Sequence, residues 1–347
     1  MSSKNGDPSR TLSDSINAAT RSVHTRLNKL VVSRLPLAQP PHADDASQYV
    51  SGLLHIAPIY MAFETQWRKI LRLPEPLEAH HPEKDSPTDS SGEPREVRPE
   101  EPSNDRSQSA VDIRIEKLLK SVYFEGLQRS RPLQQDLVFL TGWSDRTLSE
   151  QLDNASKSPV LGEFLAHIEK SVQQHPHVLL AYAWVLYMAL FSGGRFIRAS
   201  LENIYPAFWV PASAHQPTPT KLASFPQEYE LPLSFFRFKT HEDGEDLKRE
   251  FKKRLLESET YLTTPERDEI VEEARRIFEF MIRIVDELDD ICGTNREAAE
   301  ARLLSLRSRD SLVVQRERKQ QIARKTTAET AAERTRNWVE KALSKLT

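Results

Sequence analysis

Fourteen consecutive apolar residues, Val178 to Phe191, run directly into Ser192-Gly193-Gly194, and this segment constrains the fold more than any other. A run of that length is shorter than the roughly 20 residues a membrane-spanning helix needs. A helix apolar on every side must instead lie at the centre of other elements. The remainder of the chain therefore has to supply amphipathic helices that surround it. Composition agrees: ten glycines stand against 29% charged residues, and long stretches rich in Ala, Leu, Glu, Lys and Arg favour helix over sheet. The expected fold class is all-α, a multi-helix bundle around a central helix kinked at its glycines. With 347 residues and 38% hydrophobic composition, one large domain carrying extra polar segments fits better than two complete domains.

The glycine pair needs a reason, since each glycine inside a helix costs about 1 kcal/mol relative to alanine. Two absent Cβ atoms let a flat ligand lie against the backbone and let the helix bend over it. A kink or a tight helix contact is the plainer reading, and the pattern alone favours it.

Around this centre, residues 13 to 31 place Ile16, Ala19, Val23, Leu27 and Leu30 at the three-and-four spacing of one helix face, with Ser13 or Asp14 positioned to cap it. A second helix is expected over Tyr49 to Leu71, with Pro58 as a kink. From Pro74 to Ala110 there are seven prolines and ten acids against four bases, the composition of a disordered acidic insert. His80 and His81 within it read as solvated side chains. Helical patterning resumes at Val111 and covers Pro132 to Phe139 and Thr147 to Gln173. Pro206 to Pro232 reads as a surface loop. Helices follow over Glu245 to Tyr261 and Thr264 to Ile291, the latter with Thr264 as cap and Pro265 in the first helical position. The organisation is thus a disordered N-terminus over 1–10, a domain over 11–291 interrupted by the insert at 74–110, and a charged helical tail over 292–347. From Gly293 onward the tail holds 13 bases and seven acids.

A net charge of −3 and a pI near 6.4 leave no basic excess of the kind nucleic-acid binding requires, so no nucleic-acid partner is expected. The single cysteine, Cys292, excludes an intrachain disulfide and any Cys-rich metal centre. Residues Met1 to Arg10 are polar, without the apolar region of a secretory signal, and no transmembrane anchor is expected. A cytoplasmic protein is the reading. No pair of Glu-x-x-His helical motifs occurs outside the insert, which argues against a carboxylate-bridged di-iron bundle.

His24 is the residue with the most specific chemistry. It lies one residue from Val23 and a turn from Thr20 and Leu27, at the border of the buried stripe. A histidine there can look into a cavity while its second nitrogen is held by an acceptor, as an axial haem ligand requires. By spacing alone, hydrogen-bonded packing is the commoner role.

Taken in order, several segments resemble the haem oxygenase family. They are Ala19-Thr20-Arg21-Ser22-Val23-His24; Leu54-His55-Ile56 with Tyr60-Met-Ala-Phe-Glu64; Tyr187-Met-Ala-Leu-Phe-Ser-Gly-Gly194; Phe235-Phe-Arg-Phe238; Phe251-Lys252; and Glu272-Glu-Ala-Arg-Arg-Ile-Phe278 running to Asp286-Glu-Leu288. The resemblance implies His24 as the proximal ligand of haem iron, and Ser192, Gly193 and Gly194 over the opposite face with the catalytic distal helix. It further implies Phe278 at the pocket wall and Lys252 on a propionate, with Arg254 on the second propionate if the register shifts. The implied reaction opens haem, as cofactor and substrate, to a linear tetrapyrrole, carbon monoxide and ferrous iron. Dioxygen and an external reductase would be needed, because the chain has no Gly-rich dinucleotide fingerprint.

Departures from the family pattern stand beside these matches. Leu190 replaces the distal aspartate that orders a catalytic water, and leucine has neither donor nor acceptor. Leu186 stands where an arginine is usual, Trp184 where a tyrosine is common, and Asn17 where a base meets a propionate. Two further readings therefore stay open. One is a haem sensor, storage or peroxidase-like protein. The other is a cofactor-free interaction protein whose basic tail, with Leu303, Leu306, Val313, Val314, Trp338 and Leu346, meets a partner or an acidic membrane surface.

Overall fold

The structure, a computed structural model, describes residues 10–74, 106–210 and 231–294. The expectations placed on residues 1–9, on most of the acidic insert with His80 and His81, on 211–230 and on the tail from 295 fall outside these. Among the described residues every regular element is helical. Nine helices are labelled here: α1 (Leu12–Arg34), α2 (Ser47–Ile70), α3 (Arg106–Ser121), α4 (Ser130–Thr141), α5 (Asp145–Ala155), α6 (Pro159–Gln174), α7 (Pro176–Glu202), α8 (Glu245–Ser258) and α9 (Thr264–Ile291).

Helix α7 is the expected central helix. It is long and apolar enough to cross a membrane by composition, yet 78% of its most apolar window is buried among the other helices. An aromatic column joins it to its neighbours. Phe63 of α2 stacks on Tyr182 of α7 at 5.9 Å, Phe164 of α6 lies 6.4 Å further along, and Phe280 of α9 stacks on Phe164 at 4.6 Å. Helix α1 packs along α9 through Leu12, Ile16, Thr20, Val23 and Leu27, one stripe of an amphipathic helix. Leu12 and Ile16 are fully buried, each contributing about 1.5–3 kcal/mol. The two helices run in the same direction. Glu259, just ahead of α9, accepts the Leu12 amide at 2.8 Å, and Arg34 at the far end of α1 holds Asp289 of α9 at 2.9 Å.

Several boundaries differ from the sequence reading, each for a local reason. Helix α1 is capped by Thr11, whose hydroxyl accepts from the Asp14 amide at 3.1 Å, instead of by Ser13 or Asp14. Helix α9 is capped one residue earlier than expected, by Thr263. Glu266 returns a bond to the Thr263 amide at 2.7 Å, a reciprocal capping box that moves Pro265 to the second position. Helix α3 starts at Arg106, ahead of Val111. The stretch from Thr147 to Gln173 is two helices, broken at Ser156–Ser158, where Pro159 opens α6. The segment after Pro206 is no plain surface loop at its start: Pro206–Trp209 forms a 3-10 turn that buries Phe208 and Trp209.

The glycines do not interrupt α7. The helix widens into two π turns, Ala183–Tyr187 and Leu190–Gly194, and continues to Glu202. A Cβ on Gly194 would lie 3.3 Å from the Ala189 carbonyl oxygen, so the residue lets the second π turn close. In the first, the Tyr60 hydroxyl donates to the Leu186 carbonyl at 2.9 Å, bonding a carbonyl within the widened turn.

Helix starts are also held from a distance. No side chain at the head of α4 caps it; Glu64 of α2 accepts the Arg129 amide at 2.7 Å and the Ser130 amide at 3.0 Å. Glu287 of α9 does the same for α6, taking the Val160 amide at 2.8 Å, the Leu161 amide at 3.3 Å and the Ser158 hydroxyl at 3.1 Å. With Glu259 on α1, three helix N-termini are met by carboxylates from other elements, where exposed N–H groups and the helix dipole favour negative charge. Asp136 of α4 likewise accepts from the Ser234 and Phe235 amides at 2.9 and 2.8 Å.

Burial nevertheless pushes the Asp136 carboxyl up to about 6 against the donors that pull it down. Its native value lies above the unfolded one of about 3.9, so between these values the native state binds more protons. The Asp136 contribution to stability should therefore fall as pH rises from about 4 to about 6, and stay level above. Denaturant titrations of wild type and Asp136→Asn across this range test it. A difference between the two proteins that does not change with pH would refute the shift.

Candidate functional site

Helix α1 carries Asn17, Arg21, His24 and Asn28 at spacings of four, three and four, which puts them on one face. Two members of this stripe reach α7. Trp184 Nε1 donates to Asn17 Oδ1 at 3.2 Å, and Asn28 Oδ1 lies 3.9 Å from where a Cβ on Gly193 would sit. Helices α1 and α7 therefore run in the same direction, touching at two points about 16 Å apart along α1. His24 lies between those points and faces the stretch of α7 between Trp184 and Gly193.

That stretch is where the central helix opens to solvent. Residues 179 to 187 are all buried, but Ala189 and Ser192 are exposed and Met188 and Gly193 half-exposed. Opposite them His24 is exposed, and its imidazole makes no hydrogen bond among the described residues. Its ring lies 5.2 Å from that of Phe278 on α9, tilted by 39°. Phe278 of α9 packs beside the imidazole, and the slot between the two α1–α7 contacts has His24 on the α1 side and the Gly193 backbone on the α7 side.

Helix α8 brings a cation to one end. Lys252 Nζ sits 5.6 Å from the Trp184 ring centroid, beside the Asn17 contact. The start of α8 is fixed by Gly244, whose φ of +81° suits glycine and whose Cβ would collide with Phe238 at 2.6 Å. Arg254 points elsewhere. It donates to Glu250 at 2.8 Å and to the Ser121 carbonyl at 3.3 Å, and lies over Phe124. Two residues along a helix turn a side chain by roughly 200°, which puts Arg254 on the α3 side, away from Lys252.

A sequence model described as "Heme oxygenase" matches residues 107–287, just over half of the chain. The chain belongs to the haem oxygenase family. The protein described as "Heme-binding protein HMX1" of Saccharomyces cerevisiae is 30% identical over 186 residues, 52% of this chain and 56% of that protein. "Heme oxygenase 1" of Homo sapiens is 24% identical over 196 residues, 56% of this chain and 59% of that protein. The chain spans less than two thirds of the length of these curated relatives. Its fold is that of heme oxygenase 2 from Chlamydomonas reinhardtii without heme, with a TM-score of 0.52 at 18% identity over 80% of this chain and 97% of that one. Heme oxygenase-2 from Synechocystis sp. PCC 6803, in complex with heme and NO, gives a TM-score of 0.52 at 14% identity over 81% and 86%.

In this haem oxygenase fold, the α7 side of the slot is apolar where it is buried. Leu190 is buried, with a methyl carbon 3.4 Å from the position of a Gly194 Cβ. Leu186 and Trp184 are buried as well. The Ser192 hydroxyl turns back on its own helix, donating to the Met188 carbonyl at 3.1 Å and the Ala189 carbonyl at 3.3 Å, which leaves its oxygen as an acceptor.

Behind the slot lies a buried polar cluster whose role sequence reasoning missed. Glu64 accepts from the Tyr187 hydroxyl at 3.0 Å and from the Ser130 hydroxyl, besides the two amides heading α4. Burial pushes the Glu64 carboxyl up, partly offset by the Ser130, Arg129 and Tyr187 donors. Desolvation and the neighbouring Glu64 charge raise the Tyr187 phenol. The sequence signal was present: an acid flanked by Met61, Phe63 and Trp67 on a helix otherwise apolar on that side. Asn28, which bounds the slot opposite Gly193, had no such signal.

Proposed function

We propose that this chain binds haem between α1 and α7, with the His24 imidazole as the iron ligand. The observation that carries the reading is the stripe of α1: Asn17 and Asn28 both meet α7, and the exposed imidazole between them, without a hydrogen bond among the described residues, faces the stretch where α7 first opens to solvent. The residues fit the group. A neutral imidazole is the commonest biological iron donor of this kind, and Phe278 packs against it and limits its rotation. Gly193 leaves open space that a side chain would fill. Asn28, which narrows that end, does so with the tip of a flexible side chain. Lys252 supplies a cation for a propionate at the Trp184 end, and Asn17 a neutral hydrogen-bonding group.

Haem, when bound, would supply the redox chemistry, and the family relationship supports its oxidative opening to a linear tetrapyrrole with dioxygen and electrons from an external reductase. A second reading, haem binding for sensing or storage without ring opening, is favoured by Leu190: the distal wall offers no carboxylate to order a water, and the Ser192 proton is already committed to the helix backbone.

Titration of the full chain with hemin, beside His24→Ala, tests the ligand. Wild type should give a shifted Soret band at one equivalent, and the variant a different Soret position with affinity at least about tenfold weaker, equivalent to ~1.4 kcal/mol. A spectrum in wild type no different from free hemin, or one identical in the variant, would remove His24 from this role. Single turnover with dioxygen and a reductase then separates the two readings by whether linear tetrapyrrole forms.

A further inference from the structure

At the opposite end of α7 from the glycines, three side chains from separate elements converge on one point. His175 ends α6, His177 lies in the first turn of α7, and Glu269 lies in the second turn of α9. Pro176 between the histidines holds the link: His175 sits at φ −137° and ψ 74°, outside the helical region, which the residue before a proline avoids. His175 Nδ1 lies 3.1 Å and His177 Nε2 2.6 Å from the same carboxylate oxygen, Oε2 of Glu269. The three donor atoms fall within 4.8 Å of one another.

We propose that His175, His177 and Glu269 form a binding site for a late first-row divalent cation of the zinc class. Two imidazoles and a carboxylate suit zinc, nickel or copper, and resist the hard cations that select all-oxygen sites. Three protein donors leave one or two positions for water, the pattern of open zinc sites. Donors about 2.0–2.2 Å from one tetrahedral ion stand roughly 3.4 Å apart. The His175 pair is close to that spacing, and the His177 pair opens by several tenths of an ångström on binding. His177 is buried and fixes the floor, while His175 and Glu269 are 47% and 41% exposed at their side chains and leave the ion a way in.

The neighbouring polar groups neither block the site nor compete for it. Glu273, one turn on, is taken up by Tyr182, by His167 at 2.9 Å and by Ser171 at 3.3 Å. Glu266, a turn earlier, pairs with Arg114. A bound ion displaces the protons that otherwise bridge each imidazole to Glu269, so binding releases protons and weakens as pH falls. It ties the root of α7 to α9, the helix that carries Phe278. The site does not depend on haem binding.

The test uses the full chain, stripped with a chelator and titrated with zinc and with cobalt(II). One equivalent of zinc should bind and raise the melting temperature. Cobalt should give the intense visible absorption of a four- or five-coordinate site. His175→Ala and Glu269→Gln, both at accessible positions, should each weaken zinc binding by more than the roughly 10–100-fold that loss of an outer-shell partner costs, and abolish the thermal shift with unchanged helical circular dichroism. A His80→Ala/His81→Ala variant and His24→Ala should bind as wild type does. Absence of a one-equivalent site, its survival in His175→Ala or Glu269→Gln, or its loss in the His80/His81 variant would overturn the proposal.

Discussion

Glu64→Ala should cost the protein about 3–5 kcal/mol of folding free energy, seen as a lower denaturant midpoint with an unchanged slope. The carboxylate is 2% exposed and accepts four bonds, from the Arg129 and Ser130 amides and the Ser130 and Tyr187 hydroxyls. Alanine leaves those donors facing a cavity, and each buried donor without an acceptor costs about 1–3 kcal/mol. It also removes the negative group at the head of α4 and strands the Arg129 guanidinium, which is 4% exposed as a residue and held by the carbonyls of Leu127, Gly126 and Arg237. A loss below about 1 kcal/mol would mean that water replaces the carboxylate at little cost, and would remove Glu64 as the junction of α2, α4 and α7.

Leu190→Asp should act in two directions at once. The side chain is 4% exposed and packs against Gly194, so a carboxyl there is buried without a prepared donor and should destabilise the apoprotein by about 3 kcal/mol. If haem binds as proposed, the same change places an acceptor beside Ala189 and Ser192. It should then raise the single-turnover yield of linear tetrapyrrole by about tenfold or more, the order that one positioned polar group contributes. The yield is compared per bound haem, which separates the chemistry from the lower stability. An unchanged yield at equal loading would show that Leu190 is not what limits ring opening.

The all-α class, the central position of α7 and the two ends of α9 to within a residue were legible because each rests on local pattern. An all-round apolar run, a Thr-Thr-Pro-Glu start and a three-and-four stripe on α1 need no knowledge of the rest of the chain. The shape of the slot was less so. The glycine pair predicts a kink, but not the means: Gly194 makes room for the Ala189 carbonyl inside a π turn and the helix carries on. Each π turn adds a residue to the cycle, so the 3.6-residue period cannot tell which side of α7 is open. The misplacement of Arg254 has a similar origin: adjacency in sequence to Lys252 says nothing until the helix phase puts one over Trp184 and the other over Phe124. Glu64, Glu287 and Glu259 escaped as caps because their partners lie 65 or more residues away, beyond any local motif. His175 and His177 look unremarked in sequence for the same reason, since the third donor comes from α9.

Those distant acids have a consequence for how the molecule comes apart. The first turn of a helix is ordinarily where fraying begins. In α1, α4 and α6 that turn is latched by Glu259, Glu64 and Glu287, so it can open only when a neighbouring helix lifts away with it. Local breathing is thereby converted into a collective event, and α1, the helix that carries His24, inherits the rigidity of the whole assembly.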